Sequence, residues 1–337
     1  MKKILIVGGS GYIGSVLIKS CIEKKLFVYN LDNKIYKDQI NLNSKKNFYV
    51  KNLFVDFRNK EKILKVLEEV DKVIILAGLV GDYITKKYKD LSKSINENGL
   101  KNLINLIGSK QNIKKLVFIS TCSNYGLSET NKFLDENSQL NPLSLYAKAK
   151  VNIEKYIISQ TGNFNFDFTI LRFATAFGLS ERMRYDLTIN HFCASMYYDK
   201  KLEIYDSDTW RPYCHVKDFS RIILEIFSDK NFDKVKNQIF NVGSDKNNFK
   251  KYDIAKLINR YLPDAEIIKK KLSGSDKRNY KVSFRKLKEV LNIEPEIDVE
   301  TGVKEILDDL KKIKNKNLNI KELLNKGNFE ILKHANK

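Results

Sequence analysis

The sequence predicts an α/β fold, a doubly wound parallel sheet that carries a second, smaller α/β lobe. Three observations predict it. Short runs rich in Ile, Val, Leu and Phe alternate with longer amphipathic runs through the first half of the chain. Those short runs are almost continuously apolar, as strands are when helices cover both faces of a parallel sheet. The regular alternation then fades after about residue 175, where short strands and helices mix.

Taken in order, strands are expected over 3–8, 27–32, 48–56, 72–78, 114–121 and 167–174. Each is strand-length and bounded by polar or glycine-containing segments. Between them, apolar residues at helical spacing place helices near 12–25, 59–69, 91–109 and 144–161. Beyond 175 the expected strands are 201–205 and 237–242, with helices near 218–228, 252–261 and 302–313. The division that follows is a first domain over 1–175, a second lobe over 176–313 and a helical tail over 314–337. Segments around 205–245 are expected to return partly to the first domain.

Composition narrows the function classes. The 337 residues hold 61 Lys and Arg against 41 Asp and Glu, a formal net charge of +20. A chain so basic invites a nucleic-acid or membrane reading. The cations argue otherwise: only nine are arginine, and the lysines are scattered rather than clustered. Neither nucleic acid nor membrane is therefore expected as a partner. All arginines but Arg58 lie at or beyond Arg172, and the planar guanidinium fork suits phosphate. Four cysteines without CxxC spacing and three dispersed histidines point to reduced thiols, no metal site and a cytoplasmic protein.

The first chemical signal is Val7-Gly8-Gly9-Ser10-Gly11-Tyr12-Ile13-Gly14, where the first strand hands over to the first helix. Glycines there allow a tight turn and a close approach of pyrophosphate to the helix N-terminus. Asp32 closes the second strand, where a carboxylate accepts from the adenosine ribose hydroxyls and repels a 2′-phosphate. NAD is thus favoured over NADP, with Lys34 nearby as the opposing feature, and the sheet is of Rossmann type. The second signal is Tyr146-x-x-x-Lys150, which sets an ammonium beside a phenol on one helix face and is expected to lower the phenol pKa. The third is Thr121, at the end of the fifth strand.

This arrangement resembles the extended short-chain dehydrogenase/reductases, in their sugar-nucleotide epimerase/dehydratase branch, over nearly the whole chain. Asp56-Phe57-Arg58 is similar to the family's adenine-contacting turn, Leu76-Ala77-Gly78 to its loop beside the nicotinamide, and Asn96-Glu97-Asn98-Gly99 to its Asn-x-x-Gly stretch. Leu171-Arg172-Phe173-Ala174-Thr175 resembles a Leu-Arg-x-x-Asn strand with Thr175 replacing Asn, and Trp210–Asp218 resembles a further family segment. The resemblance implies a smaller lobe that binds a nucleotide sugar, and NAD held by Gly8, Gly11, Tyr12, Ile13, Gly14, Asp32, Asp56, Phe57, Leu76, Ala77, Gly78, Asn96 and Lys150. Tyr146 would be the acid/base, Lys150 its support, and Thr121 the partner of the reacting oxygen. Thr175, Arg184, Asn190, Arg211 and Arg278 would hold the substrate, the last three its diphosphate. His215 and Cys122 are read as structural. A homodimer is also implied, through helices near 91–109 and 144–161, with Leu91, Ile95, Leu103, Leu106 and Ile107 as one apolar stripe; burial inside the monomer explains the same stripe.

Family members that catalyse 4,6-dehydration carry Asp-Glu directly after the catalytic Thr, where this chain has Cys122-Ser123. Without that carboxylate pair elimination is disfavoured. The fucose-synthase type places Cys where Ser123 stands. Hydride transfer at the sugar C4 remains, as a 4-epimerase or a 4-dehydrogenase, or in reverse a ketoreductase. Leu79-Val80-Gly81 and Ser180–Asn190 look similar to GDP-heptose 4-dehydrogenases. A non-catalytic NAD-sensing or RNA-binding relative is the alternative from another class.

Overall fold

In the computed structural model the described residues are 3–36, 47–128, 132–270 and 278–314. The tail helix expected over 314–337 lies outside them but for its first residue, Lys314, which ends the helix Val299–Lys314. Fourteen strands are present among the described residues. In chain order they are β1 Lys3–Val7, β2 Phe27–Leu31, β3 Val50–Leu53, β4 Lys72–Ile75, β5 Lys115–Thr121, β6 Phe133–Leu134 and β7 Asp167–Phe173. They continue with β8 Thr175–Phe177, β9 Lys201–Tyr205, β10 Trp210–His215, β11 Gln238–Val242, β12 Asn248–Lys250, β13 Glu266–Lys270 and β14 Lys281–Val282.

Seven of these form one parallel sheet in the order β11-β7-β5-β4-β1-β2-β3. The order reverses between β1 and β4, which opens a crevice at the carboxyl ends of those strands. Residues alternate between two cores. Ile4 and Ile6 face one, with α1 (Tyr12–Glu23), while Leu5 and Val7 face the other, with α2 (Lys60–Leu67). This is a Rossmann-type sheet covered on both faces.

After the short helix α3 (Asp82–Lys87), the helix expected over 91–109 runs through α4 (Lys89–Lys93), a π-helical turn Ser94–Gly99 and α5 (Leu100–Gly108). Such turns re-aim side chains near functional sites; here the turn carries Asn96. Ile95, Leu103 and Ile107 are buried inside the chain, and Leu91 and Leu106 pack on the same core. The apolar stripe is therefore used within the monomer.

Helix α6 spans Leu145–Ser159, capped by Ser144 Oγ, which accepts from Ala147 N at 3.2 Å. The second lobe forms around a third core, built from α7 (Thr188–Tyr198), β9 and the helices Lys251–Asn259 and Val299–Lys314. Two later segments return to the first domain: α8 (Val216–Phe227) packs against α1, and β11 adds to the edge of the large sheet. At the C-terminal end of α8, Lys115 and Lys72 donate to the carbonyls of Ile226 and Phe227, the latter at 2.8 Å. Cations there complement the helix dipole.

Candidate active site

A cleft of about 590 Å³ runs from the β1–α1 loop across the sheet's carboxyl edge into the second lobe. Its first half is shaped by glycine. Gly8 has φ +90°, and a Cβ there would stand 2.7 Å from Ala77 N; one on Gly14 would stand 2.5 Å from Gly8 O. Only hydrogen fits at these points, so the loop lies flat under the first turn of α1 and leaves room for a phosphate. Asp32 sits just past β2, where its carboxylate accepts from Ser10 N at 3.0 Å and Lys34 N at 2.8 Å. The Lys34 ammonium is turned away, 3.5 Å from the centre of the Phe54 ring. Ile13, Phe57, Leu76, Ala77 and Gly78 line the same half. Bare backbone at a helix N-terminus, a fixed carboxylate and an apolar wall fit a dinucleotide such as NAD.

Two residues expected against the cofactor do not line the cleft. The Asp56 carboxylate is taken by Arg58, with Nη2 at 2.7 Å, and by Asn33 Nδ2 at 3.0 Å. Burial opposes ionisation there, yet Arg58 holds the Asp56 carboxyl below its usual range. Asn96 donates to Leu79 O at 2.9 Å and accepts from Leu79 N at 2.8 Å. It shapes the loop that follows Gly78 rather than facing a ligand.

Thr121, Tyr146 and Lys150 all line the second half. Thr121 ends β5 and accepts from Ser123 N at 3.1 Å. Tyr146 stands in the first turn of α6, and Lys150 lies one turn further on. Lys150 is buried, donates from Nζ to Ile119 O at 2.7 Å, and lies 5.9 Å from the Tyr146 ring centre. Burial pulls the Lys150 pKa down to about 8, against the attraction of Glu154. Burial pushes the Tyr146 phenol above its ordinary value, and Arg184 and Arg278 act against that shift while Asp82 reinforces it. The spacing alone assigned the lowering to Lys150. In the folded chain burial raises the phenol instead, and the cations that oppose the rise are Arg184 and Arg278 of the second lobe, whose charges reach it from across the cleft.

The substrate half gathers residues distant in sequence. Thr175, Arg184, Arg211 and Arg278 line it, as do Asp82, Ser123 and Tyr280. Arg278 spans the two lobes, donating to Asp82 Oδ2 at 2.8 Å and to Ser123 Oγ at 3.3 Å. Arg211 is 5% exposed; it donates to Trp210 O at 2.8 Å and to the Arg278 carbonyl, beside the Tyr280 ring. Arg184 pairs with Asp186 at 2.5 Å. Asn190, expected on the diphosphate, is fully buried and lies outside the lining. Its amide donates to Tyr12 Oη at 3.1 Å and to Arg184 O at 3.0 Å, and accepts from Gly178 N at 3.1 Å. Tyr12 Oη in turn donates to Gly178 O at 2.6 Å, so Tyr12 ties α1 to the second lobe.

Asp82 and Tyr280 escaped the sequence reading. Neither sits in a spaced motif; the only local sign was an acid opening a helix directly after Gly81. His215 and Cys122 are structural. His215 Nε2 lies 2.9 Å from Glu305, whose carboxyl is held at about 2 chiefly by that hydrogen bond. Cys122 donates to Arg172 O at 3.2 Å, and burial pushes its thiol well up. Among the described residues no group of three His, Cys, Asp or Glu side chains could hold a metal, and no helix is long and apolar enough to cross a membrane.

Known proteins resemble this chain in sequence and fold. The chain is 28% identical over 319 residues to a putative UDP-glucose 4-epimerase of Methanocaldococcus jannaschii, covering 91% of this chain and 98% of that one. It is 25% identical over 312 residues to a UDP-glucuronate 4-epimerase of Thermodesulfobacterium geofontis, covering 89% and 93%. In fold it is similar to the UDP-glucuronic acid 4-epimerase of Bacillus cereus, solved with UDP-glucuronic acid and NAD, with a TM-score of 0.82 at 23% identity, covering 92% and 99%. The model of the NAD dependent epimerase/dehydratase family matches residues 4–243, from the first strand through the returning β11. That span holds the glycine cradle, Asp32, Thr121, Tyr146 and Lys150, and the chain belongs to this NAD-dependent epimerase/dehydratase family.

Proposed function

We propose that this chain transfers hydride at C4 of a nucleotide-diphosphate sugar and works as a 4-epimerase. The observation that carries the reading is the continuity of one cleft, with the glycine cradle at one end, Thr121, Tyr146 and Lys150 in the middle, and Arg211 and Arg278 at the other. Bound NAD supplies a hydride acceptor that can return the hydride it takes.

The chain's own residues do the rest. Tyr146 Oη takes the proton of the C4 hydroxyl as the carbon is oxidised. Its burial opposes a phenolate, so nearby cations must favour it. Arg184 and Arg278 supply that field, and so does Lys150, fixed by Ile119 O. Thr121 hydrogen-bonds the reacting oxygen. Arg211 and Arg278 offer paired N–H donors to the diphosphate, the geometry suited to that anion. Cys122 and Ser123 leave no carboxylate pair beside Thr121 for elimination, so the 4-keto sugar is not dehydrated. Rotation of that ketose before hydride returns gives the epimer; release of the ketose makes the chain a 4-dehydrogenase. The named relatives that act at C4 support the first outcome. A homodimer in the cytoplasm belongs to the same proposal, supported by the family resemblance.

Incubating the purified chain with UDP-, GDP- and dTDP-hexoses and analysing the sugars by NMR tests this. A C4 epimer, with no net reduction of added NAD, is expected. A ketose accumulating with reduced nicotinamide indicates the dehydrogenase, and no turnover on any of them contradicts the reading.

A further inference from the structure

Placing a sugar C4 at Tyr146 leaves the class of sugar open, and the charges gathered around that residue bear on it. The loop between β4 and α3 brings Asp82 to the cleft and is tightly held. Asn96 brackets Leu79 through both backbone groups, and Gly81 turns with φ +118°. Thr85 Oγ1 donates to Gly81 O at 2.9 Å and to Asp82 O at 3.2 Å. So fixed, Asp82 Oδ2 accepts from Arg278 Nη2 at 2.8 Å, with side-chain exposures of 32% and 18%. Arg184 comes to the same loop, its Nη2 lying 3.8 Å from where a Cβ on Gly81 would stand. Asp186 already holds that guanidinium twice, accepting from Nε at 3.1 Å and from Nη2 at 2.5 Å.

Two ion pairs thus meet at the Gly81–Asp82 loop, and the charges of Asp82, Arg184 and Arg278 all reach the Tyr146 phenol. Lys150, beside the same ring, is turned to Ile119 O. C6 of a hexose is two bonds from C4, so groups that face a C4 oxygen at Tyr146 also face the C6 substituent. A hydroxymethyl group there can donate to the Asp82 carboxylate as well as accept from an arginine. An ionised carboxylate only accepts, and it adds a second negative charge beside Asp82. To be seated it must take Arg278 from Asp82 or Arg184 from Asp186, and either exchange breaks an ion pair already sheltered from water.

We propose that Asp82, paired with Arg278 on the rim of the sugar site, is a specificity residue that admits nucleotide-linked hexoses with an uncharged C6 and turns uronates away. This rests on reading Tyr146 as the group that faces C4. The arginines around the phenol are then no landing place for a sugar carboxylate, because carboxylates of the chain itself hold them.

The test compares kcat/KM of the full chain on UDP-glucose and UDP-glucuronate, and on GDP-mannose and GDP-mannuronate, pairs whose members differ only at C6. Wild type is expected to favour the neutral member of the pair it accepts by about a hundredfold or more, the scale of a like-charge contact that stays unrelieved. Asp82→Asn, which keeps the shape and removes the charge, should narrow that ratio by about tenfold or more. Asp82→Glu should retain most of the preference. Wild type that turns over the uronate as well as its neutral partner overturns the proposal, and so does a ratio unchanged in Asp82→Asn. A preference lost equally in Asp82→Glu and Asp82→Asn also overturns it, because shape rather than charge would then decide. The readout is a ratio within one preparation, so partial misfolding lowers both rates alike and does not move it; Asp82→Ser repeats the charge removal if Asp82→Asn fails to fold. If no member of either pair reacts at C4, the C4 reading falls first and takes this proposal with it.

Discussion

The Glu154 carboxylate and the Arg172 guanidinium meet at 2.8 Å inside the first domain, with side-chain exposures of 2% and 5%. Ser120 donates to the same carboxylate, and Asn124 Nδ2 does so at 2.8 Å. Arg172 Nη1 also donates to Tyr125 Oη at 3.2 Å. Glu154 follows Lys150 by one turn of α6, Ser120 adjoins Thr121 on β5, and Arg172 lies on β7. One buried network therefore fixes the helix that carries Tyr146 and Lys150 against the strand that carries Thr121.

Removing one partner of such a pair leaves the other charge buried. Glu154→Gln is expected to cost about 3–5 kcal/mol of stability, measured by urea unfolding. Fully folded protein recovered from the variant should also turn over more slowly, because α6 is no longer held in register. A loss below about 1 kcal/mol would show that the network is not what fixes the helix.

Asn190 joins Tyr12, Gly178 and Arg184 without facing the cleft. Asn190→Ala should leave those buried groups unpaired, at about 1–3 kcal/mol. Its effect on KM for the nucleotide sugar should be small beside that of Arg211→Ala, which removes a guanidinium lining the cleft. Equal KM effects would return Asn190 to the diphosphate.

Two buried lysines make stability depend on pH in an unusual direction. Burial lowers Lys115 from 10.5 to about 8, with Lys72 adding to the shift, and burial likewise lowers Lys150 to about 8. Between about 8 and 10.5 the unfolded chain holds protons that the folded chain has released, so stability rises with pH there. The contribution is complete above the unfolded value and lost as pH falls through about 8. Buried thiols such as Cys21, pushed from 9.0 to about 12, act oppositely once pH passes their unfolded value. With four buried thiols raised from 9.0, the window in which the lysines dominate lies below that value, from about pH 7.5 to 8.5. Urea midpoints should rise across it in wild type and rise less in Lys115→Met; identical slopes would remove Lys115 from the account.

Local signals made much of this legible. Glycine at Gly8 and Gly14 is required by the turn itself, and strand-length apolar runs located β1, β2, β4, β5 and β7 to within a few residues. What stayed hidden depends on tertiary contact. Asp56 and Asn96 sit in recognisable motifs, but their side chains serve Arg58 and Leu79, which no spacing reveals. The pairing of Asp82 with Arg278 links residues on opposite lobes. The expected helix is continuous from 89 to 108, but the π-helical turn inside it, which carries Asn96 towards the Leu79 loop, leaves no periodic signal. A lowered Tyr146 phenol is expected from its helix neighbour Lys150, whereas burial raises it and the opposing charges come from arginines far along the chain.

The central claim is that Tyr146 moves the C4 proton in a cleft whose cofactor end is independent of it. Tyr146→Phe tests this most directly, with dinucleotide affinity by titration measured beside turnover on the best nucleotide hexose. The account predicts turnover reduced by about a hundredfold or more, the usual range for losing a general acid/base, with NAD affinity near wild type. Turnover undiminished in the phenylalanine variant would contradict it.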